Sequence, residues 1–261
     1  MAAVFENKGG LRTVGIQVGD ILRPAVRRRR GPEKHSKMEQ HSIISTQDGS
    51  PTLVSDRFGV PYHSRYGAVQ ESRHVYIAAG LYYKSIVQKR LQVLDMGFGT
   101  GLNAFLLYLE ARRLGLTLDL TSVEAYPVPL SVAIAMDYPG ILEAESERGV
   151  FEELHRCDWN RPVELGPGVV FEKREDTFED FPIPLGRYDL ICYDAFAPVV
   201  QPHLWEQPQL CRLYDALVSG GVLVTYCAKG SFKRALQAVG FSVETLQGPP
   251  GKREMVRASR P

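Results

Sequence analysis

Two rhythms of apolar and polar positions alternate along the chain. Short apolar runs occur at 91–96 (LQVLDM), 118–125 (LDLTSVEA), 169–175 (VVFEKRE), 188–196 (YDLICYDAF) and 221–228 (GVLVTYCA). Their length and composition predict strands. Between them, 102–114 (LNAFLLYLEARRL), 129–138 (PLSVAIAMDY), 204–218 (LWEQPQLCRLYDALV) and 229–240 (KGSFKRALQAVG) carry apolar residues at helical spacing, as does 74–89 before the first of these strands. Strands alternating with helices predict an α/β, doubly wound and mostly parallel sheet covered on both faces. FSVETLQ (241–247) and KREMVRAS (252–259) predict an antiparallel C-terminal hairpin on that sheet.

The segment 42–75 differs. Asp48-Gly49 is a turn signal between short strand-like pieces, which predicts a small β-rich lead-in. Residues 1–40 show no sustained period and contain the run Arg27-Arg28-Arg29-Arg30 followed by Gly31-Pro32. They read as a poorly ordered N-terminal extension before one domain spanning 41–261, with Met38 as an alternative start.

Composition narrows the class. The chain has 261 residues, 44% hydrophobic and 23% charged, the balance of a soluble globular protein. No apolar run approaches the ~18 residues of a membrane span, and no secretory leader is visible. A cytoplasmic location with no membrane partner is the expectation. Cys157, Cys192, Cys211 and Cys227 form no C-x-x-C pair and no metal spacing with histidine, so no metal is expected. The net charge of +1 hides an asymmetry. Residues 1–40 and 229–261 each carry a balance of +5, leaving −9 for 41–228. Such basic ends suit a nucleic-acid partner if they converge, and solvated rims if they do not.

Candidate chemistry centres on Asp95-Met96-Gly97-Phe98-Gly99-Thr100-Gly101, where the first parallel strand turns into a helix. Such a turn admits close approach of a ligand to backbone. A dinucleotide fingerprint would need glycine at Leu102, and a phosphate loop would need Lys-Ser/Thr after Gly101. The remaining D-x-G-x-G-x-G suits a cofactor with an amino-acid end and a nucleoside end, S-adenosylmethionine. Asp95 would meet its ammonium. Glu124, at the end of the next strand, has the offset of a ribose-binding acid. Asp176 and Thr177 follow the third strand, where an adenine would lie; Asp176 is equally a helix N-cap candidate. Asp194 ends the fourth strand at the switch point, followed by Ala195-Phe196-Ala197-Pro198, a set suited to holding an amine.

The motifs LDMGFGTGLNAF, YDAFAPVVQPHLW and GPPGKREM, with YHSRYGAVQESRHVYI upstream, resemble the tRNA 5-aminomethyl-2-thiouridine methyltransferases. Those are similar to the N-terminal half of the bifunctional wobble-uridine modification enzyme. The likeness runs from about Ser42 to Ala258. It implies a class I methyltransferase fold and S-adenosylmethionine as donor. It implies the exocyclic amine of a modified wobble uridine in a tRNA anticodon loop as acceptor. By motif position it places Gly97, Gly99, Asn103 and Glu124 at the cofactor, Asp176 near adenine and Asp194 beside the amine. Tyr62, Ser64 and Glu71 fall on its pattern, whereas His63 stands where an aromatic hydrophobe is expected. The first forty residues match nothing in the family. No flavin-binding oxidase domain follows, which implies a stand-alone methyltransferase and leaves room for a separate upstream oxidase.

Tyr62, Tyr66 and Phe196 are candidate stacking partners for an extruded base, and His63, Ser64, Glu71 and Pro198 are further candidates at the acceptor site. Lys252 and Arg253 are candidate phosphate contacts, which Lys229, Lys233 and Arg234 would extend. Two rivals remain. The acidic middle of the chain would suit a polyamine synthase-like aminopropyltransferase, and a non-catalytic RNA-binding module would keep the fold without the chemistry.

Overall fold

The computed structural model describes residues 41–55 and 57–261. The expected extension, 1–40, lies outside them. The lead-in is a three-stranded antiparallel sheet of β1 (His41–Ser45), β2 (Pro51–Ser55) and β3 (Val60–Pro61). Asp48 closes the predicted turn. Its Oδ1 accepts from Thr46 Oγ1 (2.7 Å) and Ser50 N (3.0 Å), while Oδ2 accepts from Gln70 N (3.0 Å) and ties the turn to the next element.

That element is a helical run: α1 (Ala68–Ser72), a π-wound segment Arg73–Tyr82, and α2 (Tyr83–Ser85). It lies flat on the main sheet. A Cβ at Gly80 would stand 3.1 Å from both Leu190 Cδ1 and Val224 Cγ2, so glycine permits the close approach.

The main sheet has eight strands: β4 (Arg90–Met96), β5 (Thr117–Glu124), β6 (Val163–Gly166), β7 (Val169–Glu175), β8 (Tyr188–Tyr193), β9 (Leu217–Thr225), β10 (Ser242–Gln247) and β11 (Glu254–Ser259). Their order is β10-β11-β9-β8-β4-β5-β7-β6. The five central strands pair in parallel, and β6 and the predicted hairpin β10-β11 are antiparallel. The helices are α3 (Leu102–Leu114), α4 (Leu130–Ala135), α5 (Tyr138–Ile141), α6 (Arg148–Arg156), α7 (Gln207–Ala216) and α8 (Gly230–Val239).

Strand alternation sorts the core into two layers. Leu91 and Val93 of β4 join Phe105, Phe151 and Tyr76 on one face. Leu94 and Met96 join Tyr193, Leu213 and Phe232 on the other. The predicted helix 129–138 is divided in two because Asp137 takes a left-handed φ of 49° between α4 and α5. The helix predicted from Leu204 begins at Gln207, after a 3-10 turn over Pro202–Trp205, and Val218 belongs to β9. The order of strands reverses between β4 and β8, so the crevice beyond their carboxyl ends is the switch point.

Candidate active site

β4 and β8 run side by side, and their registers bring Gly97 and Asp194 together one residue beyond each strand. Asp194 N donates to Met96 O (3.0 Å). Gly97 sits at φ 113°, and a Cβ there would lie 2.8 Å from Asp194 O. Glycine is therefore required by conformation and by space. Asn103, in the first turn of α3, donates from Nδ2 to Asp194 Oδ2 (2.8 Å). Glu124, at the end of β5, accepts from Gly99 N (2.9 Å) and Tyr126 N (2.8 Å). Three strand ends and one helix start thus fix one wall.

This wall bounds a cavity of about 570 Å³, within the range of small-molecule sites. The opposite side comes from the lead-in, α1 and the hairpin. Tyr62 packs over the glycine turn, its Cδ1 being 3.2 Å from where a Gly99 Cβ would stand, and meets Phe196 edge-on at 5.2 Å. Phe58 lies against Phe196 at 4.3 Å and against Tyr126 at 5.6 Å. His63 is held by Thr52: its N donates to Thr52 Oγ1 (3.1 Å), which also meets Nδ1 (3.3 Å). Glu71 accepts from Ser64 N (2.8 Å) and pairs with Lys252 of the hairpin loop. The Lys252 ammonium also sits 3.9 Å from the centre of the Tyr226 ring, and the Tyr226 hydroxyl donates to Ala195 O (2.7 Å). Gly251 has φ 83°, and Tyr66 occupies the space its side chain would need, which locks the hairpin loop onto the lead-in.

Burial sets the electrostatics. It lifts the Asp194 carboxyl above the usual range, and Glu71 adds to this, while His63, Tyr76 and Asn103 oppose it. It lowers His63, against the pull of Asp194 and Glu71, so the imidazole is neutral at pH 7. Glu124 is also raised by burial, against its backbone hydrogen bonds.

Of the residues singled out in the sequence, Gly97, Gly99, Thr100, Asn103, Glu124, Thr177 and Asp194 line the cavity. So do Tyr62, His63, Ser64, Glu71, Phe196 and Lys252. The others stand outside its wall, among them Tyr66, Lys229, Lys233 and Arg234. Asp95 points into the sheet layer, fully buried, where Ser122 Oγ donates to it (2.8 Å) and burial raises its pKa strongly. Gly101 is covered by His155, whose Nε2 lies 2.6 Å from the Cβ position. Asp176 turns to Arg174, 3.7 Å from its Nε. No helix starts at Asp176; Thr177 Oγ1 caps the turn by accepting from Asp180 N (3.1 Å). Pro198 is not among the lining residues, and Arg253 is 92% exposed beside Glu254. Tyr226, Tyr126 and Phe58 line the cavity without having been marked by any motif. Among the described residues, no group of three or more His, Cys, Asp or Glu could hold a metal, and no helix is long and apolar enough to cross a membrane.

Comparison with known proteins agrees with this geometry. Residues 169–261 match a family described as S-adenosyl-L-methionine-dependent methyltransferase. The crystal structure of MnmC2 from Aquifex aeolicus aligns with a TM-score of 0.68 and 24% identity, covering 87% of this chain and 73% of that one. Fold and family match define the fold of the class I S-adenosylmethionine-dependent methyltransferases. The tRNA 5-methylaminomethyl-2-thiouridine biosynthesis bifunctional protein MnmC of Aromatoleum aromaticum is 31% identical over 236 residues, covering 82% of this chain and 34% of that protein. Its counterpart in Ectopseudomonas mendocina is 29% identical over 225 residues, covering 80% and 33%. This chain belongs to the MnmC methyltransferase-like family. It spans about a third of the length of these curated relatives.

Proposed function

We propose that the chain transfers a methyl group from S-adenosylmethionine to the exocyclic amine of 5-aminomethyl-2-thiouridine at the tRNA wobble position, giving 5-methylaminomethyl-2-thiouridine. The observation that carries this reading is the Asn103-held Asp194 carboxylate facing a glycine-turn cavity in a chain of the MnmC family.

The residues present fit the cofactor. Gly97 and Gly99 line the cavity with bare backbone. Glu124 faces the cavity at the ribose offset, and Thr177 lies where the adenine would border the wall. The buried Asn103 Oδ1 has no partner within the protein and suits a donor such as the cofactor's ammonium. When bound, S-adenosylmethionine supplies a methyl group activated by its sulfonium.

The chain's own residues then have three tasks. A primary alkylamine is protonated near neutral pH, as a lysine is, and must lose one proton before it attacks. Asp194, ionised, accepts a hydrogen bond from the amine, aims its lone pair and favours the positive charge that develops on nitrogen. Its raised pKa also fits it to take up the proton, after which the neutral His63 is the adjacent carrier toward solvent. The aromatic roof of Phe58, Tyr62 and Phe196 excludes water and offers faces for a base drawn out of the anticodon stack.

The test is methyl transfer from labelled donor into tRNA lacking this modification, with nucleoside analysis. Label in 5-methylaminomethyl-2-thiouridine supports the reading, and label in no tRNA nucleoside sinks it. The aminopropyltransferase alternative finds some support in Glu71, Glu124 and Asp194 lining one cavity, although Lys252 neutralises Glu71. Aminopropyl transfer to a polyamine in the same assay would decide for it. Failure to bind S-adenosylmethionine in calorimetry would leave the non-catalytic RNA-binding module.

A further inference from the structure

The stretch that follows Asp194 is braced from outside the cavity. Its carbonyls turn toward the protein: Ala195 O accepts from Tyr226 Oη (2.7 Å), Phe196 O from Trp205 Nε1 (2.8 Å), and Ala197 O from Val200 N (2.7 Å) and Gln201 N (3.1 Å). Phe196 is tied on both sides, because its N also donates to Gln201 Oε1 (3.2 Å). No helix or strand supplies these two bonds, since Phe196 lies between β8 and the 3-10 turn Pro202–Trp205. Two side chains supply them instead. Trp205 is 5% exposed and does not line the cavity. Its indole is wedged among Tyr193, Phe232 and Tyr226, with ring centres at 5.2, 5.0 and 6.1 Å. An indole N–H only donates, and once buried it needs an acceptor. That acceptor is the Phe196 carbonyl. Phe196 itself lines the cavity, its ring against Phe58 and Tyr62.

We propose that Trp205 is a positioning residue for acceptor binding: with Gln201 it fixes the backbone at Phe196 and so sets the face that the Phe196 ring presents to the extruded base. The inference rests on the reading of the aromatic roof given above. A ring carried on an unsupported loop samples several backbone and rotamer states, and binding must then select one of them. Setting the ring before RNA arrives removes that cost. Trp205 does so without touching the cavity, from a site locked by three other rings. The two braces lie five and nine residues beyond Phe196, inside the single motif YDAFAPVVQPHLW. One stretch of chain thus carries the carboxylate, the ring and the side chains that hold the ring.

The test is Trp205→Phe in the full chain, alone and combined with Phe196→Ala, in steady-state methyl transfer into tRNA lacking the modification. Phenylalanine keeps an aromatic ring in the wedge but cannot donate to Phe196 O. The KM for tRNA should rise about five- to tenfold, while kcat and the calorimetric affinity for S-adenosylmethionine stay within about twofold of the parent. Gln201→Leu cuts the bond from Phe196 N. It should raise the same KM about two- to threefold, and it carries the test should the tryptophan variant not fold. Phe196→Ala alone should raise KM about tenfold. On that background neither change should raise it further, because the ring through which they act is gone. An unmoved KM, an equal loss of cofactor affinity, or an undiminished rise on the Phe196→Ala background would overturn the proposal. An unmoved KM in Phe196→Ala alone would instead remove the reading of the roof, and the proposal with it. An inactive parent would remove the proposed function itself, a result that none of the variants can mimic.

Discussion

The two sides of the cavity are built differently. The wall formed by Gly97, Glu124 and Asp194 hangs on the ends of adjacent parallel strands, and its internal bonds run mainly through backbone. The roof is assembled from parts distant in sequence: the lead-in sheet, α1 and the hairpin loop. Side chains hold those parts together, through Glu71–Lys252, Tyr66 on Gly251 and the Phe58–Phe196–Tyr62 stack. A wall fixed by strand register suits a cofactor whose shape never varies. A roof fixed by replaceable side chains suits the acceptor, where specificity is set. Loops on a rigid scaffold divide work in the same way.

Changes on the wall should therefore disable chemistry or cofactor binding, and changes in the roof should affect the acceptor alone. The largest effect is expected for Asp194→Asn: roughly a 10³-fold loss of turnover in steady-state methyl transfer. The same variant should be more stable at neutral pH. Burial raises the Asp194 pKa above its unfolded value. Its favourable contribution is thus complete below the unfolded carboxylate pKa and is lost as pH rises through the folded value. At pH 7 the ionised group is a burden that asparagine lacks, and Tm by calorimetry should rise by about 2–4 °C. A lower Tm would show that the carboxylate is better compensated than its surroundings indicate.

Gly97→Ala should come next. It forces a side chain into φ 113° and against Asp194 O, so calorimetry should show S-adenosylmethionine affinity falling by roughly 10²-fold. Lys252→Met should raise the KM for tRNA about tenfold while cofactor affinity holds within about twofold. An equal loss of cofactor affinity would mean that wall and roof are not separable. The smallest effect belongs to Arg253→Ala. It should weaken tRNA binding a few-fold and reduce the slope of log affinity against log salt by ~0.7–0.9.

The same contrast governs what could be read from the chain. The wall was legible because buried parallel strands carry dense apolar runs, and their ends fix Gly97, Glu124 and Asp194 by topology. Asp95 shows the limit of that reasoning. It sits next to the turn in sequence, but strand alternation turns its side chain into the layer beneath, against Ser122. Asp176 shows another, since neighbouring Arg174 draws it aside while Thr177 takes the capping role. The short edge strand β6 offered too little apolar period to mark it, and α6, though its few apolar residues fall on one face, is too rich in charge to stand out. The π winding runs through Gly80, which packs closely on the sheet, and local sequence carries no signal for it. Tyr226 was missed for the same reason. In sequence it is an ordinary aromatic residue at a strand end, and only the assembled fold brings it to the cavity wall.

The Glu71–Lys252 contact joins positions 181 residues apart. During folding, the strands that carry the cofactor wall can pair and close first. The acceptor pocket, by contrast, stays open until the β10-β11 ribbon has docked. Binding of S-adenosylmethionine and competence toward RNA should therefore be acquired at different moments, the second tied to a closure between segments far apart in sequence.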